Sequence, residues 1–147
     1  MLETTEKKEL DTVQLAWSQD LAIGHELIDA DHQDIFDAAQ RLHAEITSEE
    51  PEYSIVGEVL VELIDHTGGH FAREEALMRE IGFPAYEAHK REHTLLMQKV
   101  NDLHRQYMDS RSSRNLPIEV AKFIQYGLVR HIMRSDMELA SFMRADK

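Results

Sequence analysis

Cysteine is absent from this chain of 147 residues, and its absence excludes disulfides, thiolate-held metals, iron–sulfur clusters and cysteine nucleophiles. Any metal must be held by nitrogen and oxygen. Basic residues are the minority. Against 28 acidic residues stand 16 lysines and arginines, a formal charge of -12, which argues against nucleic acid and anionic lipid surfaces as partners. No apolar run approaches the roughly 18 residues that a membrane span needs. The start, Met1-Leu2-Glu3-Thr4-Thr5-Glu6, lacks the basic-then-apolar design of a signal peptide, so a cytoplasmic protein is expected. Strand-type alternation is missing too, and Gly68-Gly69 has no phosphate-binding frame around it.

What the chain does have is 9 histidines. Its length suits one domain with a single core, burying roughly two thirds of the surface the unfolded chain exposes. Residues 1–24 carry a sparse apolar series, Val13, Leu15, Trp17, Leu21 and Ile23, closed by Gly24. They read as an extended arm, frayed over residues 1–10 and anchored by Trp17. Residues 25–147 read as the body, all-α. A first helix over residues 29–48, with Asp29 or Asp31 as cap, has Ile28, His32, Ile35, Phe36, Ala39, Leu42 and Ile46 on one side. A second, over 54–81, stops at Gly82-Phe83-Pro84. Gly68-Gly69 inside it implies a close neighbour or a local distortion, since each glycine costs about 1 kcal/mol relative to alanine. A third runs over 85–108. After a loop at 110–115, Asn115 caps a fourth helix that carries Pro117 in its first turn and ends near Met143. Four helices on short connections make an up-down-up-down bundle, a fold that builds metal sites from side chains on facing helices.

The pattern turns on His70-Phe71-Ala72-Arg73-Glu74-Glu75. Four residues is just over one helical turn, so His70 and Glu74 project from one face. That face is otherwise the core stripe, with Val59, Leu63, Thr67, Leu77, Met78 and Ile81. An ionised carboxylate buried there must be paired or bound to metal. Each other helix carries donors on its inner stripe as well: His32 on the first, His89 and His93 on the third, His131 and Asp136 on the fourth. Five imidazoles and two carboxylates exceed what one ion can use, but two six-coordinate ions sharing both carboxylates accommodate them. Imidazole with carboxylate suits iron, with zinc, manganese or cobalt as competitors. Asp136 sits about 140° round from His131 in a regular helix, so it must reach sideways. A single histidine on an apolar stripe is usually a satisfied core or boundary residue, and His25, His43 and His104 read that way. His43 and His104 stand roughly 16 Å along the axis from His32 and His93. His66, one turn before His70, reads as structural or supporting.

In combination, Ile28-Asp29-Ala30-Asp31-His32, His70-Phe71-x-x-Glu74-Glu75, Glu87-Ala88-His89-x-x-x-His93 and His131-Ile132-x-x-x-Asp136 resemble the hemerythrins, in particular their bacterial single-domain form, over about residues 17–143. The resemblance implies two non-haem iron ions. His89, His93 and His131 would fill one, His32 and His70 would hold the other, and Glu74, Asp136 and an oxo or hydroxo oxygen would bridge them. The second ion would be one ligand short, and dioxygen would bind there reversibly. Leu128 should line that pocket. Two positions depart from the family: Gly127 stands where a tryptophan is usual, and His66 where a tyrosine is common. Loss of the indole should leave a cavity or a solvent path near the pocket. Carriage, storage or sensing of dioxygen, without catalysis, is therefore the function the resemblance implies. A di-iron enzyme acting on dioxygen, peroxide or nitric oxide is the alternative, and a zinc ion locking the helices is a third reading. A separate protein partner is compatible with each.

Overall fold

The computed structural model describes residues 17–109 and 116–145. Helix α1 spans Glu26–Ile46, α2 Tyr53–Ile81 and α3 Tyr86–Asp109. The fourth helix, α4, covers residues 116–145 in segments: α-helical Leu116–Phe123, π-helical Ile124–Val129 and Ile132–Asp136, and α-helical Met137–Ala145. Among the described residues there is no strand. Each helix packs on its sequence neighbour, and α4 closes the bundle onto α1. This is the up-down-up-down bundle that the periodicity implies. No helix among the described residues is long and apolar enough to cross a membrane. The loop at 110–115, its capping residue Asn115 and the first sixteen residues of the arm lie outside the described residues.

The arm's visible end behaves as an anchor. Trp17 packs against the main core, a single 3₁₀ turn at Gln19–Leu21 buries Leu21, and Ile23 is buried beyond it. The cap of α1 is neither Asp29 nor Asp31. His25 takes that place, its Nδ1 accepting the N–H of Ile28 at 3.4 Å, so the helix begins three residues earlier than the apolar period suggests. Asp29 turns back instead and accepts the backbone N–H groups of Ile23 at 2.7 Å and Gly24 at 3.3 Å. An aspartate in the first turn satisfies donors there as a cap does, but these donors belong to the arm. At the end of α2, Gly82 adopts φ 68° and donates its N–H to carbonyls of the last turn, a conformation that costs glycine little.

The inner stripes pack into two apolar clusters. The larger includes Ile35, Phe36, Leu42, Leu60, Leu63, Leu103, Leu128 and Ile132. The smaller holds Ile23, Ile28, Met78, Phe83, Leu139 and Ala140. On α1 the step from one to the other crosses His32; on α2 it crosses Glu74; on α4 it crosses Asp136. A polar layer thus lies between two greasy ones, all four helices contributing.

Candidate metal centre

All seven donor-type side chains of the inner stripes, His32, His70, Glu74, His89, His93, His131 and Asp136, are 4% exposed or less. They form two overlapping groups, each with ligand atoms within 4.8 Å of one another: Glu74, His89, His93, His131 and Asp136, and His32, His70, Glu74 and Asp136. Both carboxylates belong to both groups, and their oxygens divide between them. Glu74 Oε1 lies 2.5 Å from His89 Nε2 and 3.2 Å from His93 Nε2, whereas its Oε2 lies 3.2 Å from His70 Nε2. Asp136 Oδ1 lies 2.9 Å from His89 Nε2 and 3.1 Å from His131 Nε2, whereas its Oδ2 lies 2.9 Å from His32 Nε2.

The alignment of Asp136 has a backbone cause. Residues 132–136 form a π-turn, whose hydrogen bonds close over five residues rather than four. His131 and Asp136 therefore stack on one face, and no sideways reach is needed.

These atoms approach without satisfying one another. Glu74 Oε2, His93 Nε2, His131 Nε2 and both oxygens of Asp136 are buried and make no hydrogen bond, a cost folded proteins avoid unless another partner is present. His32 Nε2 and His70 Nε2 face each other at 3.1 Å. Lone pairs aimed at shared points, from imidazole and carboxylate alone, fit divalent transition metals of the iron and zinc type. Without a cation, protons substitute for it. Burial disfavours the charged imidazole of His89, but the adjacent carboxylates of Asp136 and Glu74 outweigh it and push its pKa up to about 10. His32 and His70 are raised in the same way, against burial, chiefly by Asp136. Burial likewise opposes ionisation of Glu74 and Asp136, yet the surrounding imidazoles hold both below the usual carboxylate range.

Four side chains that the stripe pattern does not single out complete the surroundings. The Phe71 ring stacks on His93 at 3.8 Å and meets His70 and His131 at 5.6 and 5.7 Å. Its signal is the helical series Thr67, Phe71, Glu74, Met78, all buried. Glu75 Oε2 accepts from His93 Nδ1 at 2.9 Å. Glu92, held by the Ser135 hydroxyl at 2.7 Å, stands 3.7 Å from His131 Nδ1, and Asp31 stands 3.6 Å from His70 Nδ1. Carboxylates behind ligating imidazoles fix their tautomer and raise their basicity.

The remaining histidines stay out of both groups. His66 points to the surface, 36% exposed and 3.5 Å from Glu62. His25 caps α1; His43 and His104 are half-buried elsewhere along the bundle. Leu128 is buried in the larger apolar cluster. Gly127 borders an open cleft of about 270 Å³ that also touches Leu96, Tyr126, Arg130 and His131.

Comparison with known proteins points the same way. Residues 23–142 match the model of the hemerythrin HHE cation binding domain. The chain is 34% identical over 131 residues to a bacteriohemerythrin of Stenotrophomonas maltophilia, covering 89% of this chain and 82% of that protein. It is 30% identical over 122 residues to one of Pseudomonas aeruginosa, covering 83% and 76%. With one of Methylococcus capsulatus it shares 32% over 108 residues, covering 74% and 79%. No solved structure gives a significant match. A match over most of the chain, on a four-helix bundle with a buried cluster of metal-type donors, makes this protein a member of the hemerythrin family.

Proposed function

We propose that the protein binds dioxygen reversibly at a non-haem di-iron centre. His89, His93 and His131 serve one ion, His32 and His70 the other, and Glu74 and Asp136 bridge the two. The observation that carries this reading is the division of the carboxylate oxygens, one of each pair toward the three-imidazole group and one toward the two-imidazole group. A carboxylate serving one ion has no need to face both ways. The groups are unequal, five donors against four, which supports an open position on the ion held by His32 and His70. Bound there, a pair of ferrous ions supplies the electrons that dioxygen needs to bind reversibly.

The chain's own part is to position and to exclude. Bulk water and protons are the means by which bound oxygen would be lost irreversibly, so the surroundings must be dry. Phe71 covers the imidazoles of His70, His93 and His131, and Leu128 and Ile132 lie buried on α4, on either side of His131. The Glu75 carboxylate holds His93 with Nε2 free to ligate. The test is anaerobic loading with ferrous iron, then admission and removal of oxygen. Two irons per chain and a visible charge-transfer band that appears and fades reversibly are expected. One metal per chain, or no response to oxygen, overturns the reading.

The cleft beside Gly127 favours a second reading, a di-iron enzyme acting on dioxygen, peroxide or nitric oxide, because it runs from the surface up to His131. Irreversible oxidation with sustained turnover in the same experiment would select it.

A further inference from the structure

We propose that Arg73 is a positioning residue that acts through Asp31 to hold a carboxylate off His70, weakening the two-imidazole metal position relative to its neighbour. The inference rests on the di-iron reading above. It starts from two carboxylates behind imidazoles of opposite groups, one bonded and one not; Glu92, 3.7 Å from His131 Nδ1, stands off too, but it is bonded by the Ser135 hydroxyl and not by a cation. Glu75 bonds His93 Nδ1 at 2.9 Å. Asp31 Oδ2 faces His70 Nδ1 at 3.6 Å, too far for a hydrogen bond, and His70 Nδ1 is buried without a partner. A fully buried N–H that has a carboxylate within an ångström of bonding distance, and does not receive it, needs an explanation.

Arg73 supplies one. Its Nε–H donates to Asp31 Oδ2 at 2.7 Å and its Nη2–H to Oδ1 at 2.6 Å, the two-pronged geometry that makes guanidinium–carboxylate pairs strong and directional. The oxygen that His70 lacks is the one that Arg73 Nε holds. The pair is built into the helix surface. Gly69, one turn before Arg73, lies under the guanidinium, and a Cβ there would come within 3.2 Å of Nη2. One glycine of the Gly68-Gly69 pair thus makes room for the fork; Gly68 faces Met97 at ordinary contact distance.

A carboxylate on Nδ1–H raises the basicity of the ligating nitrogen, and its loss typically changes metal affinity 10–100-fold. Here the carboxylate is neutralised and displaced by a cation, so His70 receives only part of that effect. The position already short of one protein donor is thereby made weaker still.

The experiment is calorimetric titration of the full-length metal-free chain with Zn²⁺, a redox-inert probe, for the parent, Arg73→Gln, Asp31→Asn and the double variant. In Arg73→Gln the carboxylate is released onto His70, and affinity for the second zinc should rise up to about tenfold. Asp31→Asn should lower it several-fold, and the double variant should match Asp31→Asn alone, because Arg73 acts only through Asp31. Affinity for the first zinc should stay unchanged in all, which also shows that each variant is folded. The ¹⁵N resonance of His70 Nδ1 in the zinc-loaded protein should shift toward a stronger hydrogen bond in Arg73→Gln. An unchanged or weakened second site in Arg73→Gln, or an effect that persists without Asp31, overturns the proposal. A parent chain that binds one zinc only overturns the two-metal reading itself, so the two failures are separable.

Discussion

Phe71 stacks on the His93 ring, 8° from parallel, and meets two further imidazoles, His70 tilted and His131 edge-on. Phe71→Ala is expected to cost about 3–5 kcal/mol in denaturant unfolding of the metal-free protein, as buried phenylalanine truncations do. It should also make the oxygenated colour decay faster by admitting water; an unchanged decay rate would show that dryness is maintained elsewhere. Gly127 is a subtler position. A Cβ there would meet Phe123 at 3.1 Å and Leu96 at 3.3 Å, so an indole fits only if the partly buried Phe123 gives way. Gly127→Trp should therefore lower the thermal midpoint slightly while closing the cleft, and slow loss of the oxygenated form; equal or faster loss counts against the cleft as a solvent route. His66→Tyr serves as the control. Because His66 faces solvent beside Glu62, its replacement should leave the decay unaltered. At this scale the seven donors are legible in the sequence because each breaks an apolar stripe. Asp31, Glu75 and Glu92 are not, because a charged residue flanking the stripe looks like solvated surface until a second helix is placed beside it.

Regular elements are where the sequence pattern speaks most clearly. Residues that periodicity assigns to the core of α1, from Ile28 to Ile46, are all buried, Gly82 ends α2, and Pro117 stands in the first turn of α4. Starts are less legible: Asp29 carries the chemistry of a cap but spends it on the arm, and a histidine caps instead. The π-turns of α4 leave no compositional trace at all, since one extra residue per turn alters the register, not the residue types. That irregularity carries a prediction. Met133, in the second π-turn, is 40% exposed, so deleting it removes no core side chain. With one residue fewer, the turn can close as α-helix, and a spacing of four in α-helix presents the same face as five in a π-turn. The deletion variant should still bind two metal ions, measured by metal content after gel filtration. Inserting alanine after Met133, which makes the spacing six, should lose the bridge from Asp136 and bind fewer. Retention of two ions by the insertion variant would mean that the aspartate's register does not matter.

Across the whole molecule, the polar layer between two apolar clusters makes stability depend on what fills it. The metal-free fold holds protons there that the unfolded chain does not. His89, at about 10, and His32 and His70, also raised, lie above the ordinary imidazole value of 6.5. Groups raised on folding contribute stability fully below 6.5 and lose it as pH climbs toward the folded value. Glu74 and Asp136 are depressed from 4.5 and 3.8, so their contribution is present above those values and fades only in stronger acid. The metal-free protein should therefore be most stable between about pH 4.5 and 6.5 and weaken steadily above it. Metal reverses the slope, because the imidazoles must be neutral to ligate and binding expels their protons. A bound ion at a thousand times its dissociation constant adds about 4 kcal/mol, and that addition grows with pH. Urea unfolding at pH 5.5 and 8.5, with iron or with chelator, measures both trends. The gap between loaded and metal-free protein should widen at the higher pH, and a gap that narrows would mean that the buried imidazoles are not what the metal displaces protons from.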